Sequence, residues 1–376
     1  LGDNVRTEIK TAVIMGAIIA GGIAGISLYF DSLEAKIGQE DYPKAQIMQE
    51  GSDMPNIDKS RFKKAPALVG ISGYINTDPQ KLQEQIKDKV VLYDIWTYSC
   101  INCQRTLPYI VAWNEKYADQ GLLIIGIHSP EFEFEKDINN VRLASEKFGI
   151  KYPVILDNDK KIWDAFGNKY WPRKYIADHE GYIRYDHIGE GSYEETEKVI
   201  QDLLAERAAS LGLNIATAQT LVDIKEFEHG SKTPELYFGY DFAYGRNQIG
   251  NKEGFQPEKT VTYTIPKTLE RNFFYLDGTW QNLADRMVLT SNTGNIVLPY
   301  FAKEVNIVAA GKSELEIFLD GSPISEHAGA DVTQNGKAMI DGATLYNLVR
   351  TEEPGPHILQ ISVKNPGFEI YTFTFG

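Results

Sequence analysis

The 376-residue chain holds two cysteines, and they stand three apart in Trp96-Thr97-Tyr98-Ser99-Cys100-Ile101-Asn102-Cys103. One helical turn at that spacing brings two sulfurs within bonding reach. The pair can then pass between dithiol and disulfide, a reversible two-electron switch. The preceding run VVLYDI (90–95) reads as a buried strand, and 103–118 has helical spacing through Leu107, Ile110, Val111 and Trp113. Cys100 thus falls at a helix N-terminus, where free N–H groups and the positive dipole end favour thiolate over thiol. It is the candidate nucleophile. Cys103, one turn further in, is the candidate thiol that resolves a mixed disulfide.

Zinc ligation is the competing use of such a pair, and an inert pair is the bland one. Zinc wants four ligands and no other cysteine exists. Nor do His128, His179, His187, His229, His327 and His357 form a close His-x3–5-His pair. The expectation is no metal and no cofactor beyond the Cys100–Cys103 pair itself. Asp94 interrupts an otherwise apolar strand, and alternation puts it on the same face as Trp96. A carboxyl held in that interior would have a raised pKa and could relay a proton to or from Cys103; a solvated carboxylate at a strand end is the alternative. Trp96, Trp171 and Pro172 are the candidate substrate contacts, with an ordinary turn proline the plain reading of Pro172. Glu131, Glu133 and Glu135 read as a solvated acidic loop, or as one edge of a substrate groove.

The elements that position these residues alternate. Strands at 90–95, 122–127 and 153–156 are separated by helices at 103–118 and 136–148. A hairpin, 173–178 and 182–188 around His179-Glu180-Gly181, precedes a last helix at 193–208. Beyond residue 230 short β-branched and aromatic runs recur every 8–12 residues or so, the rhythm of a β-sandwich or jelly roll. There Tyr237, Phe238, Tyr240, Phe242, Tyr244 and Trp280 read as sandwich core or docking surface, with sugar stacking the alternative. At the other end 11–30 (TAVIMGAIIAGGIAGISLYF) is free of charge and, at ~1.5 Å per residue, long enough for a hydrocarbon core.

The expected organisation is a flank at 1–10, a transmembrane anchor at 11–30, a tether at 31–65, an α/β redox domain at 66–208, a linker at 209–229 and an all-β sandwich at 230–376. With 38 Lys and Arg against 52 Asp and Glu, the net charge of −14 argues against nonspecific nucleic-acid binding. Two cysteines exclude a disulfide-stapled scaffold.

Together WTYSCINCQRTLPY (96–109), GLLIIGIHSPEFEFE (121–135), YPVILDN (152–158), FGNKYWPRKYIADHEGYIRYDHIGEGSYEETE (166–197), TPELYFG (233–239) and FTFG (373–376) resemble the thioredoxin-like superfamily. Within it they are similar to the extracytoplasmic part of DipZ-like proteins, relatives of the TlpA and ResA thiol-disulfide oxidoreductases. The resemblance implies a thioredoxin-like domain followed by a β-sandwich like carbohydrate-binding modules. It also implies Cys100 as nucleophile, Cys103 as resolving thiol, Asp94 at the buried-acid position and Pro172 at the cis-proline position. Protein disulfides or thiols are the implied substrates, with both domains outside the cytoplasm. DipZ-like proteins carry a polytopic electron-transporting domain where this sequence has one apolar run. A reductase built this way would draw electrons from a separate membrane partner of the CcdA type. Two other readings stand beside the enzyme: a noncatalytic tethered binding or assembly subunit, and a glycan-binding surface protein.

Overall fold

The computed structural model of the chain describes residues 58–214, 220–243, 245–246 and 248–376. The anchor expected at 11–30, its flank and most of the tether lie outside the described residues. Among the described residues no helix is long and apolar enough to cross a membrane.

The first unit is built on β2 (Val90–Trp96) and β3 (Leu122–His128), in which every residue is buried. Continuous burial is what a parallel sheet covered on both faces demands, and these two strands pair in parallel. β4 (Val154–Leu156) extends the parallel set, and β1 (Gly73–Ile75) caps it antiparallel. On the other side β5 (Arg173–Ala177) and β6 (Ile183–Ile188) add the antiparallel hairpin, giving the order β1-β4-β3-β2-β5-β6.

Alternation along β2 divides the core. Val90, Leu92 and Trp96 face Leu107, Ile110 and Trp113 of helix Ile101–Tyr117, together with Ile200 and Leu203 of helix Tyr193–Ser210. Val91, Tyr93 and Ile95 face Ile162 and Phe166 on the opposite side. This is the expected α/β thioredoxin-like arrangement. Three short elements add to the expected order: β1 and the helices Pro79–Ile86 and Lys161–Ala165. They are too short to show a period in sequence.

The second unit is all β. Among the described residues its strands, β7 (Leu236–Tyr237), β8 (Thr260–Tyr263), β9 (Tyr275–Asn282), β10 (Met287–Leu289), β11 (Thr293–Ala310), β12 (Lys312–Leu319), β13 (Ser322–Pro323), β14 (Lys337–Asp341), β15 (Thr344–Lys364) and β16 (Glu369–Phe375), form one hydrogen-bonded network with the order β13-β12-β15-β11-β16-β10-β9-β8, β14 pairing with β12 and β7 with β16. Two of them are long. β11 (Thr293–Ala310) fuses the runs NIVLPYF and EVNIVAA, which read as separate strands in sequence, and its register with β15 (Thr344–Lys364) shifts at Ala302–Glu304 and Val305–Asn306. Such irregularities bend and twist a strand, so one strand serves both sides of a core. That core holds Phe238, Phe274, Trp280, Phe368 and Phe373.

The two units pack directly on each other. Arg105, on helix Ile101–Tyr117, reaches Glu304 of β11 at 3.4 Å and Glu190 at 3.6 Å, and its guanidinium lies 3.6 Å from the Phe227 ring centroid. Phe132 and Phe134 lie 5.0 and 4.8 Å, centroid to centroid, from Tyr371 of β16. Tyr98 donates its hydroxyl to the Ala343 carbonyl at 3.2 Å. Arg105 is the ionic centre of this contact, and removing one partner from a buried pair leaves the others uncompensated. Arg105→Met should cost about 3 kcal/mol, the low end for a broken buried pair because Arg350 still holds Glu304. Urea unfolding should also split into two transitions as the domains lose their coupling. An unchanged single transition would show that the apolar contacts alone hold the interface.

Candidate active site

Every residue of the lead-in to the dithiol is held. Trp96 ends β2 with its carbonyl accepting from the Ser129 amide at 3.0 Å. Thr97 bonds His128 at 3.3 Å between Oγ1 and Nε2, and Tyr98 stacks on the same imidazole at 5.7 Å. Burial pushes the His128 pKa down to about 3, so this imidazole is a neutral packing group at working pH. Ser99 donates to Glu135 Oε1 at 2.5 Å, while the other Glu135 oxygen accepts from the amides of Glu131 and Phe132. Glu135 is therefore a buried clasp between the acidic loop and the dithiol lead-in, and only Glu133 of the three is a solvated loop carboxylate.

Cys100 then caps the helix. Its backbone is extended (φ −76°, ψ 120°), its carbonyl accepts the first helical bond from Gln104 at 3.0 Å, and its Sγ accepts the Cys103 amide N–H at 3.3 Å. Both cysteines are free thiols. Cys100 keeps partial solvent access, whereas Cys103 is 1% exposed and belongs to the apolar core. Burial, reinforced by the neighbouring Cys100 and Asp94, pushes the Cys103 thiol up. One sulfur is reachable and the other shielded.

Asp94 is fully buried on the same face of β2 as Trp96 and the helix that carries Cys103. Neither of its carboxylate oxygens has a hydrogen-bond partner among the described residues. Burial raises its pKa to about 7, opposed by the charge of Lys174. Lys174 was not singled out from sequence. It stands directly opposite Asp94 in the β2–β5 register, is also fully buried, and donates to the Gly189 carbonyl at 2.9 Å. Burial lowers its pKa to about 8 against the pull of Asp94 and Cys103. The signal was present in RKYIAD, where alternation points Lys174 to the same face as the core residue Ile176.

The Cys100 sulfur opens into a cleft of about 270 Å³ between the two units. Cys100, Ile101, Asn102, Glu131, Trp171 and Glu190 form one wall; Glu235, Tyr237, Thr374 and Phe375 face them across it. Of the residues expected to meet substrate, Trp171 lines the cleft, with its indole N–H donating to the Ser129 carbonyl at 2.9 Å. Pro172, joined to Trp171 by a cis peptide bond, is buried behind it. Trp96 is 1% exposed and packs edge-on to His128 at 5.3 Å, inside the core rather than on the cleft wall. The cleft's second wall was not legible, because its residues lie more than 130 positions from Cys100 in sequence.

A Cys-x-x-Cys pair opening a helix at the end of a central parallel strand, over a buried carboxyl, defines a thioredoxin-like thiol-disulfide oxidoreductase site. Residues 49–204 match the Redoxin family, and residues 233–376 match the family described as Thioredoxin like C-terminal domain. The chain is 34% identical over 314 residues to Protein DipZ of Mycobacterium bovis and, with the same figures, to Protein DipZ of Mycobacterium tuberculosis. That stretch is 83% of this chain and 43% of theirs, so the chain spans less than half the length of these relatives. It is also 29% identical over 141 residues to Thiol-disulfide oxidoreductase YkuV of Bacillus subtilis, covering 38% of this chain and 94% of YkuV. The chain thus carries a Redoxin-family domain holding a dithiol site of this class, followed by a C-terminal β domain, and is similar to DipZ over 83% of its length.

The Asp94 shift has a consequence for stability. Its folded pKa lies above its unfolded value near 3.8, so its contribution is whole below that value and is lost as pH rises through about 7. The fall in unfolding midpoint between pH 5 and pH 8, followed by circular dichroism, should therefore be smaller in Asp94→Asn than in the parent. An equal fall in both proteins would mean that Asp94 ionises as freely in the fold as in the unfolded chain.

Proposed function

We propose that this protein is a membrane-anchored thiol-disulfide oxidoreductase that works outside the cytoplasm and reduces disulfides in protein substrates. The observation that carries the reading is the asymmetry of the pair: a reachable Cys100 Sγ that accepts the Cys103 amide, and a buried Cys103 one turn behind it. In the reducing direction Cys100 thiolate attacks a substrate disulfide and forms a mixed disulfide. Cys103 loses its proton toward Asp94 and attacks the Cys100 sulfur, which releases the substrate thiol and leaves the Cys100–Cys103 disulfide. Run backwards, the same steps oxidise a dithiol, and the potential of the pair against its compartment sets the direction.

The apolar run at 11–30 supports the anchor, and the similarity to DipZ supports membrane association. Re-reduction is assigned to a membrane electron donor of the CcdA type. In this reading the C-terminal domain, a sandwich akin to carbohydrate-binding modules, serves as the second wall of the dithiol cleft.

Cys100→Ser should abolish dithiothreitol-coupled reduction of insulin, whereas Cys103→Ser should accumulate a mixed disulfide visible on a non-reducing gel. Asp94→Asn should slow the second step by about 100-fold or more, as removal of a general base does. Undiminished turnover in Cys100→Ser would leave the domain a docking module instead of an enzyme.

A further inference from the structure

β7 places Tyr237 in the wall of the dithiol cleft. Its phenol oxygen lies 2.9 Å from Glu131 Oε1, in the loop after β3, and 2.9 Å from Glu235 Oε2. All three residues line the cleft into which Cys100 opens. A phenol has one hydrogen and can donate to only one of these carboxyls. The other contact needs a hydrogen from a carboxylic acid, so hydrogen counting alone leaves an extra proton on the trio.

The surroundings agree. Burial and the facing charges of Glu235 and Glu135 push Glu131 up, opposed by Lys160 and by the Tyr237 hydroxyl. Protein packed round its carboxyl pushes Glu235 up although the residue itself is exposed, and Tyr237, Arg246 and Thr372 oppose this. Arg246 sits 4.9 Å from the Tyr237 ring centroid. On the other wall Glu190 is engaged by Arg105 and by His229 at 3.5 Å. Glu235 keeps solvent access along the cleft.

Resting on the redox reading above, we propose that Glu131, Tyr237 and Glu235 hold a proton in the cleft wall and deliver it to the sulfur that departs when Cys100 attacks a substrate disulfide. The Cys100–S bond forms as the substrate S–S bond breaks, and the bonding pair moves to the departing sulfur. That sulfur takes the trio's proton and leaves as a thiol. Water re-protonates Glu235, and the second sulfur leaves the same way when Cys103 closes the intramolecular disulfide. The two cysteines lose two electrons, and the substrate gains two electrons and two protons. A departing alkyl sulfur, with a pKa near that of free cysteine at ~8.5, would otherwise emerge as an anion among carboxylates. The C-terminal domain is in this sense part of the catalytic machinery.

The test uses the full pre-reduced chain in single turnover at neutral pH with two neutral probes. Hydroxyethyl disulfide expels a basic alkyl thiolate that needs a proton. Dithiodipyridine expels a heteroaryl group that is stable without one. Glu235→Gln and Tyr237→Phe should each slow hydroxyethyl disulfide about 10-fold or more and leave dithiodipyridine within about 2-fold. Equal slowing with both probes, or slowing with neither, overturns the proposal. Tyr237→Phe keeps the ring that stacks on Phe242 at 5.3 Å, so it decides the question even where Glu235→Gln fails to fold. Parent protein whose Cys100 reacts with neither probe would instead remove the redox reading itself.

Discussion

A dithiol switch needs two sulfurs close enough to bond yet unequal in access, and the turn from β2 into the following helix imposes that inequality. Cys100 must leave the strand as a helix cap, because its carbonyl already accepts from Gln104 while its own backbone is still extended. Its sulfur then lies over the free amides of the first turn and accepts the one from Cys103. Cys103, three residues on, points back into the sheet. The lead-in 97–99 cannot swing, since His128 and Glu135 hold it from the neighbouring strand and loop.

The same geometry explains why charge is tolerated beneath the pair. Asp94 and Lys174 are fully buried and opposite each other across β2 and β5, without a close ion-pair contact. Burial drives each toward its neutral form, one up to about 7 and the other down to about 8, while their mutual attraction opposes this. A tighter pair would fix both charges and leave nothing to titrate. Two groups poised near neutrality instead share the interior with a thiol whose own deprotonation is resisted by burial.

Much of this was legible in sequence because it is local. The cysteine spacing, the strand that delivers it and the alternation that turns Asp94 inward are read within ten residues. The hairpin after Pro172 followed from turn residues between two β-rich runs. What escaped was set by distance along the chain. Lys174 gains its meaning only opposite Asp94, a pairing fixed by the antiparallel addition of β5. Trp96 shares the Asp94 face, and that face is core, so alternation that buries the acid also withdraws the indole from the cleft. Tyr237 sits in an aromatic-rich stretch that reads as sandwich core, and its ring is indeed buried; only its hydroxyl, meeting a carboxyl from the other domain, has a further partner.

That last contact bears on what the C-terminal domain is for. Arg105, two residues beyond Cys103, engages Glu190 of its own domain and Glu304 of the other. Phe132 and Phe134, on the loop that also carries Glu131 and Glu135, pack against Tyr371. The interface therefore touches the active helix and the loop clasped to its lead-in, the two segments on which the dithiol geometry rests. A domain tethered only as an affinity module would gain nothing by seizing those segments. Packed this way, any shift of β16 or β11 moves the wall, the loop or the helix. The cleft into which Cys100 opens is consequently lined by residues of both units.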